Sequence, residues 1–447
     1  MTRAYRLNRC ILILFALGAG VPLLAGSAPP AHAQLGAIGG QSGPAIEAPP
    51  PSGRPSAFDE RGREKNALIV GDWLLYPTAF AGAIYDTNPS QSARRSQASG
   101  GARLVPALLA ERTAAISRTS LYAMTDARLY AIGEGQGFNA VAARLGAIQD
   151  YEPVESWVLH AQGDYTRQRD VFSTLGITHG LSSLNPTGVG VVPTQQPFVY
   201  NQLTGTGSVL KRFSNAFVSL GGAAVGILYN QPDGTMPPPS GAVYTATGRG
   251  GIWLTPDLYT FVSGAVDKRD WDTDSLNSSG FRTLVGIGSD QIGLFRGEIH
   301  GGYQQQSFDS AAIGTVGSSV YGGRLDYFPY PKLTLRAAAD RTIGASLLGT
   351  APATAAGTSS IVTSFLGQVT YAVFPEWEWS GRAGYLRASY TESPRRENAW
   401  TAGATLTYSI WRSFGLSLDY QHLALNSNVP DQGFSRDIVT FGISYKY

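Results

Sequence analysis

Sixteen charged residues stand where they could line a water-filled wall. They are Arg118, Asp126, Arg128, Arg144, Asp164, Arg249, Asp267, Arg269, Arg296, Glu298, Arg324, Asp326, Arg336, Asp340, Arg382 and Asp419. Four of the pairs are two residues apart: Asp126/Arg128, Asp267/Arg269, Arg296/Glu298 and Arg324/Asp326. In an extended chain, residues at that spacing share a face. Two uses fit the pattern. The groups can form a mildly Arg-rich lining whose transverse field orients polar or anionic solutes, or they can neutralise one another across neighbouring strands. Taken together, they imply a wet interior.

Histidine offers less. His160 shares a face with Asp164, and His300 with Glu298, the arrangement of a base and the group that orients it. No nucleophile motif accompanies either pair, so no catalytic residue is assigned and the chain is not expected to be an enzyme. His179 and His422 have no metal-ligand partner two or four residues on. Neither a metal nor another cofactor is implied.

The elements that must position these residues have period 2. In "SWVLHAQGDYTRQ", Trp157, Leu159, Ala161, Gly163 and Tyr165 form one row, and His160, Gln162, Asp164, Thr166 and Gln168 the other. "LFRGEIHGGYQQQ", "FLGQVTYAVF" and "WTAGATLTYSI" alternate in the same way. Strands put successive side chains on opposite faces, so each segment has an apolar and a polar face. An arginine added to the polar row, at Gln162, Gly302 or Thr405, is therefore expected to be tolerated. At Ala161, Gly301 or Ala404 it is not.

The rest of the chain restricts where such strands can live. "MTRAYRLNRCILILFALGAGVPLLAGSAPPAHAQ" has a basic start, an apolar run from Cys10 to Leu24 and the small-residue site Ala31-His32-Ala33, so residues 1–33 read as a secretory signal peptide. Its removal takes Cys10, the one cysteine, and Arg3, Arg6 and Arg9 from 34 basic residues, leaving 31 against 32 acidic. That balance gives no basic footprint for nucleic acid. Residues 34–70 are rich in Pro, Gly and Ser and read as a linker, and residues 71–447 as one domain. No later segment offers ~20 continuous apolar residues for a helical membrane span.

A soluble β-sandwich and a transmembrane barrel remain. The apolar rows are studded with Gly and Ala and end in Tyr or Trp, the composition of a lipid-facing band between aromatic girdles. Connection lengths decide between the two. Short turns are expected near Thr113, Glu152-Pro153, Ser214-Asn215, Pro256-Asp257, Gln291, Pro329-Tyr330-Pro331, Pro375-Glu376 and Arg412-Ser413. They alternate with longer loops such as "DTDSLNSS", "LGTAPATAAGTS" and the longest, Ser173 to Gln196, a candidate constriction. The fold implied is all-β: an antiparallel up-and-down transmembrane barrel of about 18 strands, with 16 as the alternative. The short turns are expected in the periplasm.

The chain ends "RDIVTFGISYKY", with Val439, Phe441, Ile443, Tyr445 and Tyr447 on one row. That row would face lipid while the last strand closes on the first, since an open edge cannot persist in a bilayer. Phe441, Tyr445 and Tyr447 resemble the β-signal read by barrel-assembly machinery, which makes that machinery and outer-membrane lipid the expected partners.

"GDWLLYPTAFAGAIYDTN", with Pro77, Gly82, Tyr85, Asp86 and Asn88, resembles the opening strand of the putative β-barrel porin 2 family. "GARLVPALLAE" and "GDYTRQRD" also suit it, and the resemblance spans roughly Gly71 to Tyr447. It implies an outer-membrane barrel with links to exopolysaccharide or envelope processes, and no catalytic residues. The linker is too short for a plug, and neither POTRA domains nor a passenger accompany the barrel. Two functions stay open. One is a channel for small hydrophilic solutes or polysaccharide export. The other is a closed-lumen scaffold or adhesin acting through its loops. The sequence leaves oligomeric state open.

Overall fold

The computed structural model describes residues 67–93, 96–132, 139–168, 199–230, 240–345, 359–374, 376–391, 394–411, 413–430 and 433–447. The expected signal peptide, most of the expected linker and the Ser173–Gln196 segment lie outside them, as do the tips of several other connections.

The strands are β1 (Leu68–Val70), β2 (Trp73–Asp86), β3 (Ser99–Ala114), β4 (Ser117–Ile132), β5 (Ala140–Val154), β6 (Trp157–Gln168), β7 (Tyr200–Arg212), β8 (Ala216–Tyr229), β9 (Gly241–Thr255) and β10 (Leu258–Trp271). They continue as β11 (Ser278–Ile292), β12 (Phe295–Phe308), β13 (Thr315–Tyr330), β14 (Leu333–Ala345), β15 (Ser359–Phe374), β16 (Trp377–Tyr390), β17 (Arg396–Ser409), β18 (Phe414–Ser427) and β19 (Phe434–Lys446). Every neighbour pairs antiparallel from β2 to β19, and β19 pairs back onto β2, from Ile438 opposite Asp86 to Lys446 opposite Thr78. The result is a closed barrel of 18 strands, β2 to β19. Below Thr78 the edge of β2 has no β19 partner. There β1 folds back and pairs Leu68–Val70 with Trp73–Leu75, covering the exposed edge. The last residues of the expected linker thus belong to the sheet.

All eight short turns lie at one end, called here the short-turn end, with four of them displaced. β3 runs through Thr113, so its turn falls at Ala115–Ile116. β5 runs through Pro153, so its turn falls at Glu155–Ser156; the next displaced ones fall at Gly293–Leu294 and Pro331–Lys332. The regular register breaks before the last three of these turns, between Tyr151 and Val154, Ser289 and Ile292, and Tyr327 and Tyr330, and Pro153 and Pro329, which cannot donate to a ladder, fall inside two of those breaks.

The alternation sorts side chains as the rows suggest. Trp157, Leu159 and Ala161 are exposed on the outside while Val158, Gln162 and Asp164 are buried within. Outward aromatics form two girdles. On β17, Trp400 lies near the long-loop end and Tyr408 near the short-turn end, with outward Ala402, Ala404 and Leu406 between them. A tilted strand needs about that length to carry one side chain to each interface of the apolar band. Tyr165 and Tyr385 belong to the far girdle and donate to Asn201 and Asn398 at 2.9 Å each, keeping their hydroxyls at the polar boundary. Phe295 and Tyr327 stack at 4.4 Å in the near one.

The interior differs from the expectation of water throughout. At the long-loop end, inward residues of β2, β4 and β16 to β19 meet in one apolar cluster that includes Ile84, Tyr130, Leu386, Leu423 and Ile438. Inward residues of β7 to β13 meet in another, with Val225, Val243, Trp271, Phe308 and Val316. The segment "DTDSLNSS", expected to be an exposed loop, contributes to this packing. Asp274–Leu276 is a single 3-10 turn that drives Leu276 into the second cluster, and Ser278 is a buried residue of β11. Apolar side chains on inward rows have no lipid to face, so they bury against one another.

Inward positions are correspondingly less tolerant than expected. Gln162 and Thr405 are buried. At Gly302 a Cβ would run into the backbone oxygen of Thr283, so any side chain there forces the strands apart.

Candidate functional site

The site is built from a departure from the wall. β14 pairs with β13 only up to Arg341 opposite Tyr321, although β13 continues to Thr315 along β12. β14 stays with β15 as far as Ala345 opposite Ser359. The top of β14 therefore leaves β13 and turns inward, while β15 stays laddered to β16 as far as Ser360 opposite Tyr390. The new partners of β14 are inward side chains of β12 and β10. Gln304 of β12 accepts from the Ile343 amide at 3.0 Å and from the Thr342 hydroxyl at 3.0 Å. Arg269 of β10 donates to the Ile343 carbonyl at 3.2 Å. A strand in the wall could not reach β10, four strands away. Ile343 packs into the apolar cluster of β7 to β13, and Val362 on β15 into the opposite cluster. The inward edge of β14 thus narrows the long-loop half of the lumen, while β15 remains in the wall.

All sixteen charged candidates lie on inward rows. The structure divides them by what covers them. In the long-loop half, both partners of each pair are sealed: Arg144 bonds Asp164 at 2.6 Å with side chains 5% and 4% exposed. Arg103 and Arg128 share Asp126 at 2.9 and 3.2 Å, and Arg269 bonds Asp267 at 3.0 Å. Asp340 is buried as well. The paired groups tie neighbouring strands together from within.

Nearer the short-turn end the balance changes. Asp326 of β13 accepts from Arg336 of β14 at 2.6 Å and from Arg324 at 3.2 Å. Its carboxylate is 5% exposed, whereas Arg336 and Arg324 are 33% and 25% exposed. Arg382 bonds Asp419 at 3.4 Å with the same asymmetry, and Arg118 bonds Glu111 at 2.9 Å. The carboxylates lie beneath and the guanidinium groups face the lumen. Register explains their order: Arg296, Asp326, Arg336, Gln368 and Arg382 are successive partners across β12 to β16. The row climbs from one residue inside β12 to five residues inside β16.

On the adjoining stretch of wall, Arg249 of β9 lies 3.6 Å over the ring of Phe261, within a cluster that also holds Phe217, Tyr259 and Trp253. Glu298 accepts from Arg249 at 2.6 Å and from the Tyr259 hydroxyl at 3.2 Å. Stacking and pairing together fix one rotamer of Arg249.

The histidine pairs resolve differently from their sequence spacing. His160 sits 2.7 Å from Asp150 across the strand, not on Asp164, which Arg144 and Tyr122 occupy. His300 is 3.8 Å from Glu298. His422 points outward and meets Asp437 at 2.8 Å beside Tyr420. His179 lies outside the described residues.

Sequence reasoning missed Arg103, Glu111, Arg395, Glu397 and Arg436. On β3 the inward row reads Arg103, Val105, Ala107, Leu109, Glu111, so its apolar members hid the charged ones. Asp86 and Asn88 were visible only through the family motif. Asp86 binds Arg436 of the last strand, and the Asn88 amide donates to Ser92 and Ser435 carbonyls at 3.0 Å each.

A closed barrel of 18 strands with an apolar outer band, two aromatic girdles and an inward-turned strand edge is a transmembrane barrel with the porin-like outer-membrane fold. The chain belongs to the family described as putative beta-barrel porin 2, whose profile matches residues 66–447. No curated protein sequence matches it. Similar solved structures include OccAB4 of Acinetobacter baumannii, at 11% identity and a TM-score of 0.42 over 84% of this chain and 98% of that one. OpdQ of Pseudomonas aeruginosa matches at 10% identity and a TM-score of 0.42 over 85% and 98%. The copper transporter OprC matches at 9% identity and a TM-score of 0.43 over 86% and 82%.

Proposed function

We propose that the protein is an outer-membrane channel for small hydrophilic solutes, narrowed by the inward edge of β14, with its short turns in the periplasm. Passage of a polysaccharide during export belongs to the same reading. The observation that carries it is the departure of β14 from β13. An inward edge of β14 held by Gln304 and Arg269 is placed to set the width of a passage. A barrel of 18 strands is wide enough for an aqueous channel once that edge yields. Replacing Gln304 with Leu removes the contacts to Thr342 and Ile343 while keeping the volume. In planar bilayers the variant should show larger or more frequent conductance steps than the wild type.

The two apolar clusters against Ile343 and Val362 favour a second reading, a closed-lumen scaffold or adhesin acting through its loops. It predicts no conductance steps from either protein. In both readings the protein reaches the outer membrane through a cleaved signal peptide and the barrel-assembly machinery.

A further inference from the structure

We propose that Arg282 of β11 and Asp340 of β14 are the two halves of a binding site for small zwitterions of the α-amino acid class, beneath the inward edge of β14. The site deepens the channel reading by naming a substrate class, and rests on that reading for transport but not for binding.

Asp340 is 7% exposed, yet it forms no hydrogen bond and no ion pair among the described residues. An ionisable group so well covered ordinarily has a partner, because burial strips its hydration without return. Arg282 is half-buried on an inward row and likewise forms no hydrogen bond or ion pair among the described residues. It lies within electrostatic reach of Asp340 and Asp267. Asp267 is already engaged, accepting from Arg269 at 3.0 Å and from Gln306 at 3.1 Å. Arg282 and Asp340 therefore attract each other across a gap that neither side chain closes.

Register explains the gap. Arg282 is opposite Gln304 on β12, and Asp340 is opposite Gly322 on β13. The diagonal between them crosses β12 at Gly302 and β13 at Gly322, and a glycine brings no side chain to the wall. Thr342, the next residue on the Asp340 face of β14, bonds Gln304 at 3.0 Å and holds that backbone in place. Arg269 Nη1, in the same group of charges, is buried without a hydrogen-bond partner among the described residues. A ligand that bridges the gap must carry a cation and an anion a short way apart. Its ammonium would donate to Asp340, and its carboxylate would accept from the planar fork of Arg282. An α-amino acid carries both groups on one carbon and leaves the site neutral. A polyanion or polycation would satisfy one side chain and be repelled by the other.

The test uses full-length refolded barrel in detergent, with L-alanine as probe and a ligand-observed NMR titration as readout. N-acetyl-L-alanine keeps only the carboxylate, and L-alanine amide only the ammonium. The wild type should bind L-alanine about tenfold more tightly than either analogue, the worth of one charge-assisted contact. D340N should lose that preference and bind N-acetyl-L-alanine more tightly than the wild type does, because the repelling carboxylate is gone. R282Q should gain affinity for the amide for the converse reason. Two gains of opposite specificity cannot come from misfolding. No binding of L-alanine, equal binding of all three ligands, or variants that weaken all three alike would overturn the site. Bilayer recordings separate the two ideas. L-alanine binding without conductance would remove the channel and leave the site. Conductance without L-alanine binding would do the reverse.

Discussion

Arg436 on the last strand grips Asp86 on the first: Nη2 donates to Oδ2 at 2.7 Å and Nε to Oδ1 at 3.0 Å, with the two side chains 3% and 0% exposed. Tyr130 donates to the same carboxylate at 2.5 Å. The pair bolts the seam of the barrel from inside. Asp86→Leu should leave the buried guanidinium without its carboxylate and lower folding stability by about 3–5 kcal/mol. Asp86→Leu with Arg436→Leu should recover much of that loss, because no charge remains buried. Urea titrations of folding into lipid vesicles read both, and a double variant as unstable as the single one would refute the seam argument.

The C-terminal row is expected to be required for assembly. Lys446 donates to the Ser413 carbonyl at 2.8 Å, Tyr447 to Pro77 at 3.3 Å, and the Tyr445 ring lies 5.2 Å from Phe414. Phe441 and Tyr447 stay exposed to lipid on the same face. Deleting Tyr445–Tyr447 removes these contacts at the seam together with the aromatic signal. The truncated protein should fail to appear as heat-modifiable barrel in outer-membrane fractions.

Faces can be tested with one residue type. Arginine at Ala161 or Ala404 meets lipid and should cost roughly 2–4 kcal/mol near the midplane. Gln202 is inward and half-buried beside Thr204 and Thr166. Arginine there should cost less than about 1 kcal/mol. Equal costs at the two kinds of position in a folding titration would contradict the assigned rows.

Orientation has its own readout. Cysteine at Thr273 or Asp309, exposed at the long-loop end, should react with an impermeant maleimide on intact cells. Cysteine at Ser214 or Asp257, exposed in short turns, should react only in opened envelopes. Cys10 is the one native cysteine and lies in the segment expected to be cleaved, so the mature protein should give no background.

The sequence alone determined the strands, their two faces and the closure of the sheet. Each of these depends on period 2 and on which side chains lipid accepts, and both are local properties of segments such as Trp157–Gln168 and Val439–Tyr447. Turns were legible to within a few residues, since Pro and Gly mark where a ladder can end but not how far pairing persists. What fills the lumen was decided by tertiary structure. Whether Arg144 faces water or Asp164, and whether Arg336 shows its outer edge, depends on strands joined far apart in sequence and on the register between them. The inward turn of β14 at Arg341 depends on Gln304 and Arg269, two and four strands away around the wall. No spacing along the chain encodes a contact between strands that are not paired neighbours, because that distance exists only once the sheet has formed and curved.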